Sequence, residues 1–226
     1  MLQTFPDILT PAERSSCLTQ VLAEAWDDGR STAGSAAAAA KRNQQLAPDN
    51  AVGARWANVI LDRLGAHPGF MSATLPLKVM PPMFNRYDIG EQYDAHIDNA
   101  IRSLAGGAHR VRTDISATLF LSEPDTYEGG ELEIMDTYGS HLIKLPAGSL
   151  VVYPSTSVHR VRPVTRGARV AAVFWIQSLV AADHHRRMLW ALDQSVQTLS
   201  INEDPRRALV DLTGLYHNLV REWSQT

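Results

Sequence analysis

Two residues one position apart pose the first chemical question. In the stretch EQYDAHIDNA, residues 91–100, His96 and Asp98 flank Ile97. Side chains alternate faces along an extended strand, so His96 and Asp98 project together while Ile97 turns the other way, into the core. An imidazole and a carboxylate on one face can grip one metal ion. The plainer alternative is an exposed strand with a His–Asp hydrogen bond and no ligand. A site of the two-histidine, one-carboxylate kind needs a further imidazole from elsewhere in the fold.

The chain has eight histidines, at 67, 96, 109, 141, 159, 184, 185 and 217. His67 in GAHPGF and His109 in GGAHRVR read as loop residues, and His141 opens a strand without a second signal. His184 and His185 stand beside Arg186 and Arg187 on a C-terminal helix and read as a solvated face; His217, also helical, reads as a partly buried polar contact. His159 is different. It follows the apolar strand GSLVVYPSTSV and precedes a strand rich in arginine.

Ten residues after His159 stands Arg169, at the start of RVAAVFWIQS. On a strand over 169–177, Arg169, Ala171, Val173, Trp175 and Gln177 share one face, and Val170, Ala172, Phe174 and Ile176 share the other. An arginine on so apolar a strand is costly unless its charge meets an anion. Two parallel N–H donors match a carboxylate. An internal ion pair satisfies that need, and so does a small dicarboxylate ligand beside a metal.

Short strands separated by turns must position these residues. PLKVMPPMFNRYDI, QYDAHID, TDISATLFLSE, GELEIMD, HLIKLPAGSLVVYPS and ARVAAVFWIQS read as strands between Gly-Gly, Pro-Ala-Gly and Arg-Gly turns. Many short strands without intervening helices imply an antiparallel sandwich, a jelly roll or a barrel over 74–178. Ahead of them the chain is helical and irregular. Thr10 and Pro11 open a helix as N-cap and first helical residue. The run of five alanines at 36–40 is expected in a loop, and 49–65 forms an amphipathic helix ending at Gly65. Beyond Gln177, VAADHHRRMLWALDQSVQTL and DPRRALVDLTGLYHNLVREW carry apolar residues at helical spacing, with Asp204-Pro205 as a start signal.

Bulk properties bound the function. At 226 residues the chain can bury a substantial core, and 45% hydrophobic with 20% charged residues is ordinary for a globular protein. A net charge of −3 gives no electrostatic case for nucleic acid. The single cysteine, Cys17, suits a reducing cytoplasm and reads as a small apolar helix residue. No stretch reaches the roughly 20 apolar residues of a membrane span, and MLQTFPDILT lacks the character of a signal peptide. A cytoplasmic protein that binds neither membrane nor nucleic acid is expected.

The order His96-x-Asp98, His159, Arg169 resembles the non-haem Fe(II) and 2-oxoglutarate-dependent dioxygenases, specifically the prolyl-4-hydroxylase-like branch and its bacterial PKHD-type hydroxylases. NRYDIGEQYDAHID resembles that family's lead-in, with Tyr87 and Tyr93 ahead of the first ligand. TYEGGELEI, residues 126–134, resembles its Gly-Gly-Glu turn, and LPAGSLVVYPSTSVHRVRPVTRGARVAAVFWIQS its second ligand region through to Trp175. The basic residue is arginine rather than the lysine of animal-type prolyl hydroxylases, a trait of PKHD-type members that leaves the prolyl substrate open.

The resemblance implies an α+β chain with a double-stranded β-helix (jelly-roll, cupin-like) core. Residues 1–178 would form the dioxygenase domain, with N-terminal helices and the core at 74–178, and 179–226 a small C-terminal helical segment. It further implies Fe(2+) on His96, Asp98 and His159, with the distal carboxylate of 2-oxoglutarate on Arg169. Tyr87 becomes a hydrogen-bond donor to 2-oxoglutarate, and Tyr93 and Trp175 become pocket walls. The implied reaction is hydroxylation of a small molecule or peptide with release of succinate and CO2, supported by L-ascorbate. Related halogenating enzymes lack the carboxylate that Asp98 supplies.

Two readings stand beside this one. Two histidines, a carboxylate and a water also make a catalytic zinc site, in a hydrolase or lyase; that leaves Arg169 unexplained. A non-enzymatic sensor of iron or 2-oxoglutarate uses the same residues without turnover. Ser116 or Thr118 on SATLFL faces the pocket, with the register open. Loops at 31–48 and 100–112 could cover the site, and their basic residues would tolerate an anionic substrate. The apolar stripes of the C-terminal helices fit either packing on the core or a homodimer interface.

Overall fold

The computed structural model describes residues 1–32, 40–103, 110–137, 139–201 and 206–225. The N-terminal part holds β1 (Gln3–Phe5), α1 (Pro11–Leu22), β2 (Asp27–Asp28), β3 (Lys41–Arg42), β4 (Gln44–Gln45), α2 (Ala51–Gly65) and α3 (Pro68–Thr74). Next come β5 (Pro76–Val79), β6 (Met83–Tyr87), β7 (Gln92–His96), β8 (Ile101–Ser103), β9 (Arg110–Arg112) and β10 (Ile115–Phe120). The second half of the sheet region is β11 (Glu128–Gly129), β12 (Leu132–Asp136), β13 (Gly139–Ile143), β14 (Leu150–Pro154), β15 (Val158–Val161), β16 (Val164–Arg166) and β17 (Arg169–Ser178). Two helices, α4 (Asp183–Ile201) and α5 (Arg206–Trp223), close the chain.

Helix starts follow the local chemistry. Thr10 accepts from the Glu13 amide and Glu13 returns the bond to the Thr10 amide, a reciprocal capping box with Pro11 at the first turn. Asn50 accepts from Gly53 and starts α2, whose buried Gly53, Trp56, Ala57, Ile60 and Leu64 recur at three- and four-residue spacing. α3 was not legible as a helix. Its N-cap is His67, whose ring Nδ1 accepts from the Phe70 amide at 3.1 Å, so the residue read as part of a loop is a helix cap.

Among the described residues, most strands form two facing antiparallel sheets, and β11 with β16 and β8 with β9 form two further pairs. The larger runs β1-β14-β10-β17-β6-β4-β2, with β5 also on β17, and the smaller runs β13-β12-β15-β7-β3. This is the expected double-stranded β-helix. The two faces of β17 separate as alternation predicts: Val170, Ala172, Phe174 and Ile176 join Trp56, Ile60, Leu64 and Phe70 in the main core beneath the helices. Arg169, Val173 and Trp175 turn toward the smaller sheet. A second core of Phe120, Leu132, Ile134, Ile143, Val151 and Tyr153 fills the space between the sheets.

Several expectations need correction. HLIKLPAGSLVVYPS is two strands in different sheets, β13 and β14, joined through a turn at Gly148, where φ is +85°. The irregular first third supplies four short strands to the sheets. Part of the 100–112 loop is a hairpin, β8 with β9. The face around His184 and His185 is not wholly solvated: Arg186 is buried, donating to the Val180 and Ala181 carbonyls at 2.7 Å, and His185 stacks on Trp223 at 4.0 Å. His217, expected partly buried, is exposed. Most of the alanine run, His109 and the Asp204-Pro205 signal lie outside the described residues. Among the described residues, no helix is long and apolar enough to cross a membrane.

Candidate metal and oxoacid site

His96 is the last residue of β7 and His159 the second residue of β15, and these neighbouring strands place the two histidines opposite one another in register. Their rings lie 4.2 Å apart, centroid to centroid. Asp98 follows two residues beyond the end of β7. Its Oδ1 is 3.9 Å from His96 Nε2 and its Oδ2 3.7 Å from His159 Nε2. One ligand atom from each of the three lies within 4.8 Å of the others, a group that can hold a metal ion. The side chains are 12%, 10% and 6% exposed for His96, Asp98 and His159.

The backbone sets the tautomer of both rings. His96 Nδ1 is 2.8 Å from the Asp94 carbonyl and His159 Nδ1 is 3.0 Å from the Ser157 carbonyl, each two residues back. A carbonyl oxygen only accepts, so each Nδ1 carries the proton and each Nε2 offers its lone pair to the centre. Burial, then the nearby His159, pushes His96 down to about 4, which favours the neutral ring. Tyr93 stacks on His96 at 3.7 Å and fixes the ring plane. Asp98 is fixed in turn by the Ser116 hydroxyl, which donates to Oδ2 at 2.5 Å.

Ile97 departs from expectation. The strand ends at His96, alternation stops there, and Ile97 is 56% exposed rather than anchored in the core. His96 and Asp98 converge through the irregular chain that follows the strand, not through strand alternation alone.

Arg169 opens β17, opposite Tyr87 of β6. It is 1% exposed, with its guanidinium carbon 5.3 Å from the centroids of both Tyr87 and Phe120. Its Nε and Nη1 have no hydrogen-bond partner, and it makes no ion pair among the described residues. Gly130, at φ +65°, leaves room beside it: a Cβ there would stand 3.2 Å from Arg169 Cδ and 3.0 Å from Val164. A buried charge with orphaned donors is unfavourable by itself, so this geometry calls for an anion between the sheets.

One cavity of about 800 Å³, measured with its open mouth, unites these groups. His96, Asp98, His159 and Arg169 line it, as do Tyr87, Tyr93 and Trp175. The open question of register resolves to both residues: Ser116 pairs with Trp175 and Thr118 with Val173, and both line the cavity. Sequence reasoning missed Tyr153, buried 5.0 Å from the His159 ring with its hydroxyl raised far above its ordinary value by burial. Lys41 was also missed; burial and then Arg102 lower it to about 8.

Comparison with known proteins gives the family and the fold. The model of the 2OG-Fe(II) oxygenase superfamily matches residues 82–177, and that of the PKHD-type hydroxylase C-terminal domain matches residues 183–225. A PKHD-type hydroxylase of Parvibaculum lavamentivorans is 54% identical over 226 residues, covering 100% of both chains. Among solved structures, a Pseudomonas putida prolyl-4-hydroxylase superposes with a TM-score of 0.53 at 20% identity, over 78% of this chain and 92% of that one. HygX from Streptomyces hygroscopicus, with nickel, 2-oxoglutarate and hygromycin B bound, gives 0.54 at 15% identity, over 78% and 82%. The two superpositions show the shared fold.

Proposed function

Because this chain belongs to the PKHD-type hydroxylases, within the 2OG-Fe(II) oxygenase superfamily, we propose that His96, Asp98 and His159 hold its Fe(2+) and that Arg169 holds the distal carboxylate of 2-oxoglutarate. The protein is a non-haem Fe(II)- and 2-oxoglutarate-dependent dioxygenase. The observation that carries the residue assignment is the pairing, in one cavity, of a three-ligand group with a buried arginine whose Nε and Nη1 lack partners among the described residues.

The donor set fits the group. His96, Asp98 and His159 would hold the ion through two imidazoles and one carboxylate, a donor set that suits a ferrous ion able to take further ligands. When bound, iron and 2-oxoglutarate supply the oxidising chemistry: decarboxylation to succinate and CO2, coupled to hydroxylation of a C–H bond. The chain's own residues bind and orient. Ser116 holds the Asp98 carboxylate, the Asp94 and Ser157 carbonyls hold the ring tautomers, and Arg169 with Tyr87 aligns the oxoacid. Tyr93 and Trp175 wall the space left for the substrate.

A zinc hydrolase or a sensor fits the same three ligands but not the family. Substrate identity stays at a small molecule or peptide. L-ascorbate as the reductant that keeps the iron ferrous follows from the family resemblance alone, and a cytoplasmic location from the lone cysteine. We divide the chain into a dioxygenase domain at 1–178 and a helical segment at 179–226, which the separate match to 183–225 supports. The half-buried apolar residues of α4 and α5 fit a homodimer. The experiment is succinate release from 2-oxoglutarate by iron-loaded protein: Asp98→Ala and His159→Ala should each abolish it, and substantial residual turnover would sink the ligand assignment.

A further inference from the structure

We infer that the primary substrate carries an oxyanion, such as a carboxylate, and that Arg102 grips it. This rests on the iron and 2-oxoglutarate reading above and adds the substrate's chemical class.

Arg102 lies on β8, four residues after Asp98, and lines the same cavity. Its guanidinium carbon sits 3.9 Å from the centroid of the Trp175 ring. Trp175 is packed against Met80 and Val111, and Val111 is the register partner of Arg102 across the hairpin. The guanidinium therefore rests on a fixed aromatic face rather than on a loose side chain. Arg102 is half-buried and makes no hydrogen bond or ion pair among the described residues. Ten positions on, Arg112 shows the contrast, with its donors taken up by Asp114, the Ser178 carbonyl and Gln225.

Charge in the cavity points the same way. A ferrous ion, the doubly charged oxoacid, Asp98 and Arg169 cancel formally, so Arg102 stays without counter-charge in the loaded site. Burial already disfavours its charged form, while Asp98 and then Tyr93 partly offset that effect. A planar fork of donors lining this cavity suits a carboxylate far better than a neutral amide. Lys41 also lines the cavity, its ammonium 5.6 Å from the Tyr93 ring centroid.

The test uses iron-loaded, 2-oxoglutarate-saturated protein without oxygen, titrated calorimetrically with benzoate and hippurate and with their primary amides. Each acid should bind about ten-fold more tightly than its amide. The preference should vanish in Arg102→Met and persist in Arg110→Met, which removes the same charge from an exposed position on the adjacent strand. Equal binding of acids and amides overturns the inference, as does a preference that survives Arg102→Met or falls equally in Arg110→Met. Affinity for 2-oxoglutarate, measured separately, should be unchanged in Arg102→Met. If 2-oxoglutarate fails to bind wild-type protein at all, the iron–oxoacid reading fails, and the acid–amide comparison on iron-loaded protein still judges Arg102.

Discussion

Ser116 and Asp98, eighteen residues apart in sequence, are joined by a 2.5 Å hydrogen bond between the serine hydroxyl and Oδ2. A hydroxyl has one proton, and Ser116 spends it on Asp98. The 2.7 Å contact between Ser116 and Ser155 must then be a donation from Ser155. The chain Ser155 to Ser116 to Asp98 leaves the second carboxylate oxygen free to ligate.

Ser116 is therefore a positioning residue. Ser116→Ala should weaken iron binding by roughly 10–100-fold, the usual cost of losing a hydrogen bond that orients a ligand. Ser155→Ala, one bond further out, should do less. Direct metal titration checks both. Equal, negligible effects would make the two serines ordinary core hydroxyls.

Arg169→Met should raise the Kd for 2-oxoglutarate by about 100-fold, the scale of a charge-assisted hydrogen-bonded pair, and leave iron affinity nearly unchanged. Because its Nε and Nη1 have no hydrogen-bond partner among the described residues, the substitution should cost the apoprotein little stability. Equal losses of iron and oxoacid binding would mean that Arg169 is structural.

The alternation on β17 made Arg169 legible in the sequence, since its opposite face is unbroken core. Tyr153 was not legible, because β14 is covered on both faces and its run of apolar residues shows no period. Ile97 failed for the reverse reason: a period-two rule was carried past the last strand residue, His96. Arg186 reads as solvent-facing from its His-His-Arg-Arg neighbourhood, yet the backbone carbonyls of Val180 and Ala181 bend back to satisfy it. Such local bonds leave no trace in residue type. Ser116 and Thr118 were candidates from their strand, and only pairing with both β14 and β17 fixes which way they face.

The capping box of α1 predicts a pH-dependent contribution to stability. The Arg63 guanidinium, then the Thr10 amide, holds Glu13 at about 2, below its ordinary 4.5. Its stabilisation is complete above the unfolded value and is lost as pH falls from about 4.5 toward 2. Thr10→Ala should cost about 1 kcal/mol at neutral pH, a Tm drop of about 2–4 °C, and should flatten that acid slope. Thermal melts across pH check both.

Cys17 is fully buried in the main core, and burial alone pushes its thiol up to about 12. In native protein at pH 8 it should react with a thiol reagent far more slowly than in denaturant. The raised value also means that stability declines as pH climbs from about 9 toward 12, because only the unfolded chain ionises readily there. Rapid native labelling would contradict the buried placement of α1.

The most direct measurement is anaerobic titration of Fe(II)-loaded protein with 2-oxoglutarate, following the weak visible charge-transfer band of an iron-chelated oxoacid. The site described here predicts a saturable band in the wild type, its loss in Asp98→Ala, and a much higher 2-oxoglutarate requirement in Arg169→Met. Metal-replete protein that never develops the band, or an Asp98→Ala variant that develops it unchanged, would contradict the assignment of His96, Asp98 and His159 to the iron.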